Sequence, residues 1–130
     1  MADKKSYLYL GLAGETGVDY LQAVRRRREL RDELRTAMAD LDVVLTAVFP
    51  NEAPKIDALP KWDVFQQPSF MMPFNVAGYP ATSVCSGFAA NGLPVAIQLV
   101  GKPFQEAAVL RIADAFEKAT PFRDRRPPLA

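Results

Sequence analysis

The stretch Gly92-Leu93-Pro94-Val95-Ala96-Ile97-Gln98-Leu99-Val100-Gly101 decides how the rest of the chain is read. From Pro94 to Gly101 it is apolar at consecutive positions, with Gln98 the sole polar interruption. A strand with one wet face alternates apolar and polar residues. A strand apolar on both faces must be covered on both. This segment is therefore predicted to be a central strand with layers on either side. Asn91-Gly92 immediately before it is the strongest hairpin signal in the chain. The residues upstream, Ala81 to Ser86, then read as the preceding strand, with Gly87 to Gly92 as the turn.

Working outward, Phe104 to Ala119 has Val109, Ile112, Ala113 and Phe116 at helical spacing and is predicted to be a helix. Phe70 to Gly78 reads as a short helix begun by Ser69 and broken by Gly78-Tyr79-Pro80. Residues 50–68 hold four prolines and read as a long loop, of the kind that serves a function or lies under a partner. Asp42 to Phe49 is rich in β-branched residues and reads as a buried strand.

Thr16-Gly17-Val18-Asp19 carries the pattern of a helix N-terminus. From there to Asp40, Tyr20, Ala23, Arg27, Leu30, Leu34, Met38 and Leu41 fall at spacings of three and four, one face of a helix of about 33 Å. Arg27 interrupts that stripe. Its guanidinium is expected to be buried or half-buried against a carboxylate or carbonyl partner. Three regions result: a lead segment at 1–17, an α/β domain at 18–122, and a charged, Pro-rich tail at 123–130 expected on the surface or disordered. Three strands make a thin sheet. A doubly covered strand implies more sheet than these residues supply.

Composition narrows the chemistry. Within 130 residues there are 16 Lys+Arg, 15 Asp+Glu, one Cys and no His. No Ser-His-Asp triad, Cys-His dyad, imidazole zinc site or intrachain disulfide can be built from this set. The net charge of +1 gives no support for broad nucleic-acid binding. No apolar run approaches a membrane span or a signal peptide, so the cytoplasm is the expected compartment.

The run Arg25 to Arg28 cannot form one patch, because consecutive helical side chains point about 100° apart. Glu29 and Asp32 are placed to pair with Arg25 and Arg28. Gly11-x-x-Gly14-x-x-Gly17 lacks the strand and the lysine of a phosphate loop and reads as a flexible entry to the helix. Ser83 or Ser86 with Lys102 raises the question of a Ser-Lys dyad, but a lysine serves as base only where desolvation or neighbours favour its neutral form, and Lys102 sits at a strand end expected to be wet. Cys85, mid-strand, reads as a buried structural thiol. Asn75 and Gln98 are amides in apolar surroundings. They either cross-link the structure or contact a substrate, directly or through its neighbours.

The ordered segments Asp42-Val-Val-Leu-Thr46, Pro73-Phe-Asn-Val-Ala-Gly-Tyr-Pro-Ala81, Gly92-Leu-Pro-Val-Ala-Ile-Gln-Leu-Val-Gly101 and Phe104-x-Glu106-x-x-x-Leu110 resemble the C-terminal part of the amidase signature family. Tyr20-x-x-Ala23-x-x-x-Arg27-x-x-Leu30 resembles the helix that precedes it. The resemblance runs from about residue 18 to Pro127. It implies the C-terminal part of an α/β/α sandwich, with a mixed β-sheet flanked by helices. It also implies hydrolysis of carboxylic amides or release of ammonia from glutamine for amidotransfer, with no cofactor and no metal. The family works with a Ser-cisSer-Lys triad in a Gly/Ser-rich signature upstream of the matched part. This chain has no Gly-Gly-Ser-Ser segment, so no catalytic residue carries over. It also has Ala47-Val48 where the family commonly reads Pro-Thr, and Cys85 where proline is frequent.

Two expectations follow. Either the chain supplies scaffold and part of a substrate pocket to an amidase, with a partner chain or missing region providing the nucleophile, and is inactive alone. Or it is a non-catalytic binding module that covers its sheet edge by homodimerising. Neither calls for nucleic acid or membrane.

Overall fold

The structure is a computed structural model that describes residues 16–55 and 70–126. The order of elements is α1 (Gly17–Ala37), β1 (Val43–Ala47), α2 (Met72–Ala77), β2 (Ala81–Phe88), β3 (Pro94–Gly101), α3 (Glu106–Ala119) and a 3-10 turn (Phe122–Asp124). The glycine triplet at Gly11 and Gly14, most of the proline-rich loop, Ser69 and the end of the tail lie outside the described residues.

The strands form one sheet in the order β1-β3-β2, so the doubly apolar segment is the central strand. Both pairings are antiparallel. The mixed sheet implied by the resemblance is therefore not seen in these three strands. Val44 lies opposite Val100 and Leu45 opposite Leu99 on one side of β3, with Val84 opposite Ile97 on the other. β2 is two residues longer than its composition implied. It passes through a bulge at Cys85–Gly87 and ends at Phe88. The turn that follows is closed by Ala89 N–H donating to Leu93 O at 2.8 Å and by Leu93 N–H donating to the Asn91 side chain at 3.1 Å.

The period of two on β3 sorts the core into layers. Val100 faces a cluster of Met38, Phe74, Ala77 and Tyr79, edged by Leu30, Leu34 and Val44. Leu99 faces the other way, onto Val84, Val109 and Ala113, edged by Val43, Ile97 and Phe116. α1 and α2 thus cover one face and α3 the other: an α/β/α sandwich around an antiparallel sheet.

Gly101 sets how closely α3 approaches. A Cβ at this position would overlap Cγ2 of Val109. Gly78 ends α2 in the left-handed region, at φ 77°. From there Gly78 N–H donates to Phe74 O at 2.8 Å and Tyr79 N–H to the same carbonyl at 3.0 Å. This turn drives Tyr79 into the core.

α1 starts where expected. Asp19 N–H donates to Thr16 Oγ1 at 3.2 Å and Thr16 N–H donates to Asp19 Oδ2 at 2.9 Å, a reciprocal cap. Only its second half is seated, however. Met38 is buried and Leu30 and Leu34 are half-buried, whereas Tyr20, on the same stripe, is 68% exposed. α2 begins at Met72, with Met71 at its N-cap position and Pro73 in its first turn. α3 begins at Glu106, because Phe104 is in a turn with φ 65°. Ile112, expected in its core face, is exposed. Phe122 packs edge-on to Phe88 at 6.3 Å between ring centroids, and Arg125 lies 4.0 Å over the Phe88 ring, so this part of the expected tail is docked on β2.

Candidate functional site

Register brings three polar side chains into a row. Thr46 on β1 and Ser83 on β2 both lie opposite Gln98 on β3, so the three share the α1/α2 face of the sheet. Gln98 is buried, at 4% exposure, and its amide is engaged. Nε2 donates to Thr46 Oγ1 at 3.0 Å and to the Phe70 carbonyl at 3.2 Å. Both of its N–H groups therefore hold structure: one fixes β1, the other the entry to α2. Ser83 at the far end of the row is exposed.

Ala96, two positions before Gln98 and on the same face, lines a cleft of about 570 Å³ with Phe49, Pro50, Glu52, Pro54 and Pro94. The cleft is bounded by the chain that leaves β1 and the start of β3. Glu52 Oε1 accepts from Asn91 Nδ2 at 3.2 Å, which ties that chain to the β2–β3 turn. The row and the cleft thus place an exposed Ser83 hydroxyl, the engaged Gln98 amide and an apolar wall on one face of the sheet.

The other sequence-predicted residues are dispersed. Asn75 is exposed on α2, and no hydrogen bond among the described residues joins it to Gln98. Arg27 is exposed rather than buried, because the apolar stripe of α1 lies at the rim of the domain there. Its partner is a carbonyl: Nε donates to Val76 O at 2.6 Å. Lys102 makes a matching contact, with Nζ donating to Ala39 O at 2.8 Å. Ser83 lies opposite Gln98, and Lys102 is four residues farther along, roughly 13 Å at strand rise. No Ser-Lys dyad forms.

Ser86 Oγ donates to Val95 O at 3.4 Å, and the half-buried Cys85 Sγ donates to Gly87 O at 3.5 Å across the bulge. Asp32 pairs with Arg35 at 2.9 Å, not with Arg28. Asp19 holds the reciprocal cap at the start of α1. Hydrogen bonds from the Thr16 side chain and then its backbone hold it below the usual carboxylate range. Among the described residues no group of three or more Cys, Asp and Glu could hold a metal ion.

Sequence reasoning missed two things here. The polar row needs register, which a single strand does not reveal. Gly101 as a contact glycine was readable only as the end of a strand.

The described residues form an α/β/α arrangement with a doubly covered central strand and a fixed amide at its centre, and they bring no serine within reach of Lys102. Residues 9–110 match the family model described as Amidase. The chain belongs to the amidase family. It is 39% identical over 112 residues to the A subunit of glutamyl-tRNA(Gln) amidotransferase from Ralstonia nicotianae, a match that covers 83% of this chain and 22% of that protein. The crystal structure of the corresponding Thermotoga maritima protein superposes with a TM-score of 0.72 at 31% identity, covering 93% of this chain and 28% of that one. The structure of 6-aminohexanoate cyclic dimer hydrolase gives a TM-score of 0.78 at 26% identity, over 87% of this chain and 26% of that one. The chain thus spans less than a third of the length of the relatives it matches.

Proposed function

We propose that this chain serves as the C-terminal scaffold of an amidase-family hydrolase, acting on the C–N bond of carboxylic amides or releasing ammonia from glutamine for amidotransfer. The supporting observation is the combination of the family match with the state of the side chains. Gln98 is locked as a cross-link, Lys102 is committed to a backbone carbonyl, and the Ser83 hydroxyl has no hydrogen-bond partner among the described residues.

Catalysis by a Ser-Ser-Lys system needs a lysine whose pKa is depressed by its surroundings and a serine within hydrogen-bond reach of it. Lys102 donates to the Ala39 carbonyl and lies roughly 13 Å along the strand from the position opposite Ser83, out of that reach. In this reading the nucleophile, its bridging serine and its lysine come from another region or a partner chain, which fits relatives that are named as subunits. The chain contributes the wall beside Phe49 and Ala96, the polar row, and the layers that hold them. Asn75, exposed here, is a contact for substrate or for the residues that line the pocket once it is completed. The cytoplasm is the compartment this reading calls for.

The test is direct. The purified chain is incubated with glutamine and with simple aliphatic and aromatic amides, and ammonia is measured. No release above buffer is expected. Hydrolysis that disappears on Ser83→Ala or Lys102→Met would overturn the proposal by placing a working dyad in this chain.

A further inference from the structure

We propose that the groove between α1 and the β3–α3 turn is a docking surface for an acidic polypeptide segment. Arg28, Arg31 and Arg35 recur at i, i+3 and i+7, so they rise from one face of α1, unlike the consecutive arginines before them. Together with Asp32, Tyr79 and Pro103 they line a groove of about 330 Å³. Three guanidinium groups thus meet one carboxylate, in a chain whose net charge is only +1.

That carboxylate is already engaged, since Asp32 Oδ1 lies 2.9 Å from Arg35. Arg28 and Arg31 form no ion pair among the described residues. The neighbouring cations that hold the fold are committed elsewhere, Arg27 to Val76 O and Lys102 to Ala39 O. The Lys102 contact also fixes the β3–α3 turn against the end of α1, so both walls of the groove are held in place. The surplus charge is therefore local and preorganised.

The occupant follows from the chemistry. A guanidinium takes a carboxylate through two parallel N–H donors. Beside Pro103 stands Phe104, 92% exposed with its backbone at φ 65°. An apolar ring held outward next to a cationic groove fits a segment carrying carboxylates with an apolar side chain among them. Single-stranded nucleic acid fits less well. The groove's own aromatic, Tyr79, is buried against Phe74 and offers no face for stacking, and the lip has a single exposed ring. The proposal rests on this geometry alone and is independent of the amidase reading.

The test is fluorescence anisotropy with the intact chain and a short labelled peptide built from glutamate and leucine, at low and moderate salt. Saturable, salt-sensitive binding is expected, weakened roughly tenfold or more by the triple variant R28Q/R31Q/R35Q. The control R25Q/R111Q, which removes arginines outside the groove, should match the parent. Arg31→Glu should weaken the acidic peptide and admit a lysine–leucine peptide, a reversal that misfolding cannot produce. Absence of binding, equal binding of the glutamine–leucine peptide, indifference to the triple variant, or tighter binding of a single-stranded RNA probe at the same salt would each overturn the proposal.

Discussion

Gln98 is the residue on which the strand and the site both depend. As an amide in an otherwise apolar strand, it had to be satisfied internally, and the structure satisfies it with Thr46 and Phe70. Gln98→Met keeps the volume and removes both donors, leaving the Thr46 hydroxyl and the Phe70 carbonyl without their partner. The expected loss is about 1–3 kcal/mol of unfolding free energy, read from the shift in urea midpoint. An unchanged midpoint would mean that the amide is dispensable to the fold and available to a substrate. Arg27 shows the limit of residue-level reading. Its place in the stripe demanded a carboxylate or carbonyl partner, and the structure supplies the Val76 carbonyl. Its burial depended on how far the domain extends along α1, which periodicity does not encode.

At the scale of elements, local chemistry was the most legible. The Thr16–Asp19 cap, the Asn91–Gly92 turn and the β3 segment all stood in the sequence, because each is set by neighbours a few residues apart. The start of α3 was not legible. Phe104 has no composition that forbids a helix, and its left-handed backbone follows from the turn that carries the chain from β3 to α3.

Two element-scale experiments follow. Asp19 titrates below its unfolded value of about 3.9, because hydrogen bonds from Thr16 stabilise the carboxylate. The cap's contribution is thus fully present above that unfolded value and is lost as pH falls through the lowered folded one. Acid titration followed by circular dichroism should show helix loss in that window, and Thr16→Ala should remove the step. Gly101→Ala places a methyl group against Val109, so α3 must lift from β3. A destabilisation of about 1–3 kcal/mol is expected. Thermal melts that superimpose on the parent's would show instead that α3 adjusts freely.

For the whole molecule, the pattern of exposure is what matters. Leu45, on the α3 face of edge strand β1, is 59% exposed because α3 lies mainly over β2 and β3 and reaches β1 only at Val43. Tyr20 and Leu21 are exposed on the projecting half of α1. These are apolar surfaces of the kind buried in a larger assembly. The thin sheet and the doubly covered strand already implied missing neighbours. Which surfaces would be left bare could not be read, since that depends on sheet order. Multi-angle light scattering across a dilution series separates the two outcomes. Concentration-dependent association that Leu45→Lys reduces is expected of a chain with unmet apolar contacts. A dimer that persists on dilution and ignores that change would favour a self-sufficient interaction module.

The contacts that fasten α1 to the domain, Arg27 to Val76 O and Lys102 to Ala39 O, both end on the main chain. A peptide carbonyl is present whatever side chain its residue bears, and it has no proton to gain in acid. Each fastening is therefore one-sided in its demand for information. Substitutions should be rejected at Arg27 and Lys102 and accepted at Val76 and Ala39, which are exposed. Across a saturating library the two sites of each contact should vary without correlation, so these attachments would be invisible to any search for paired changes.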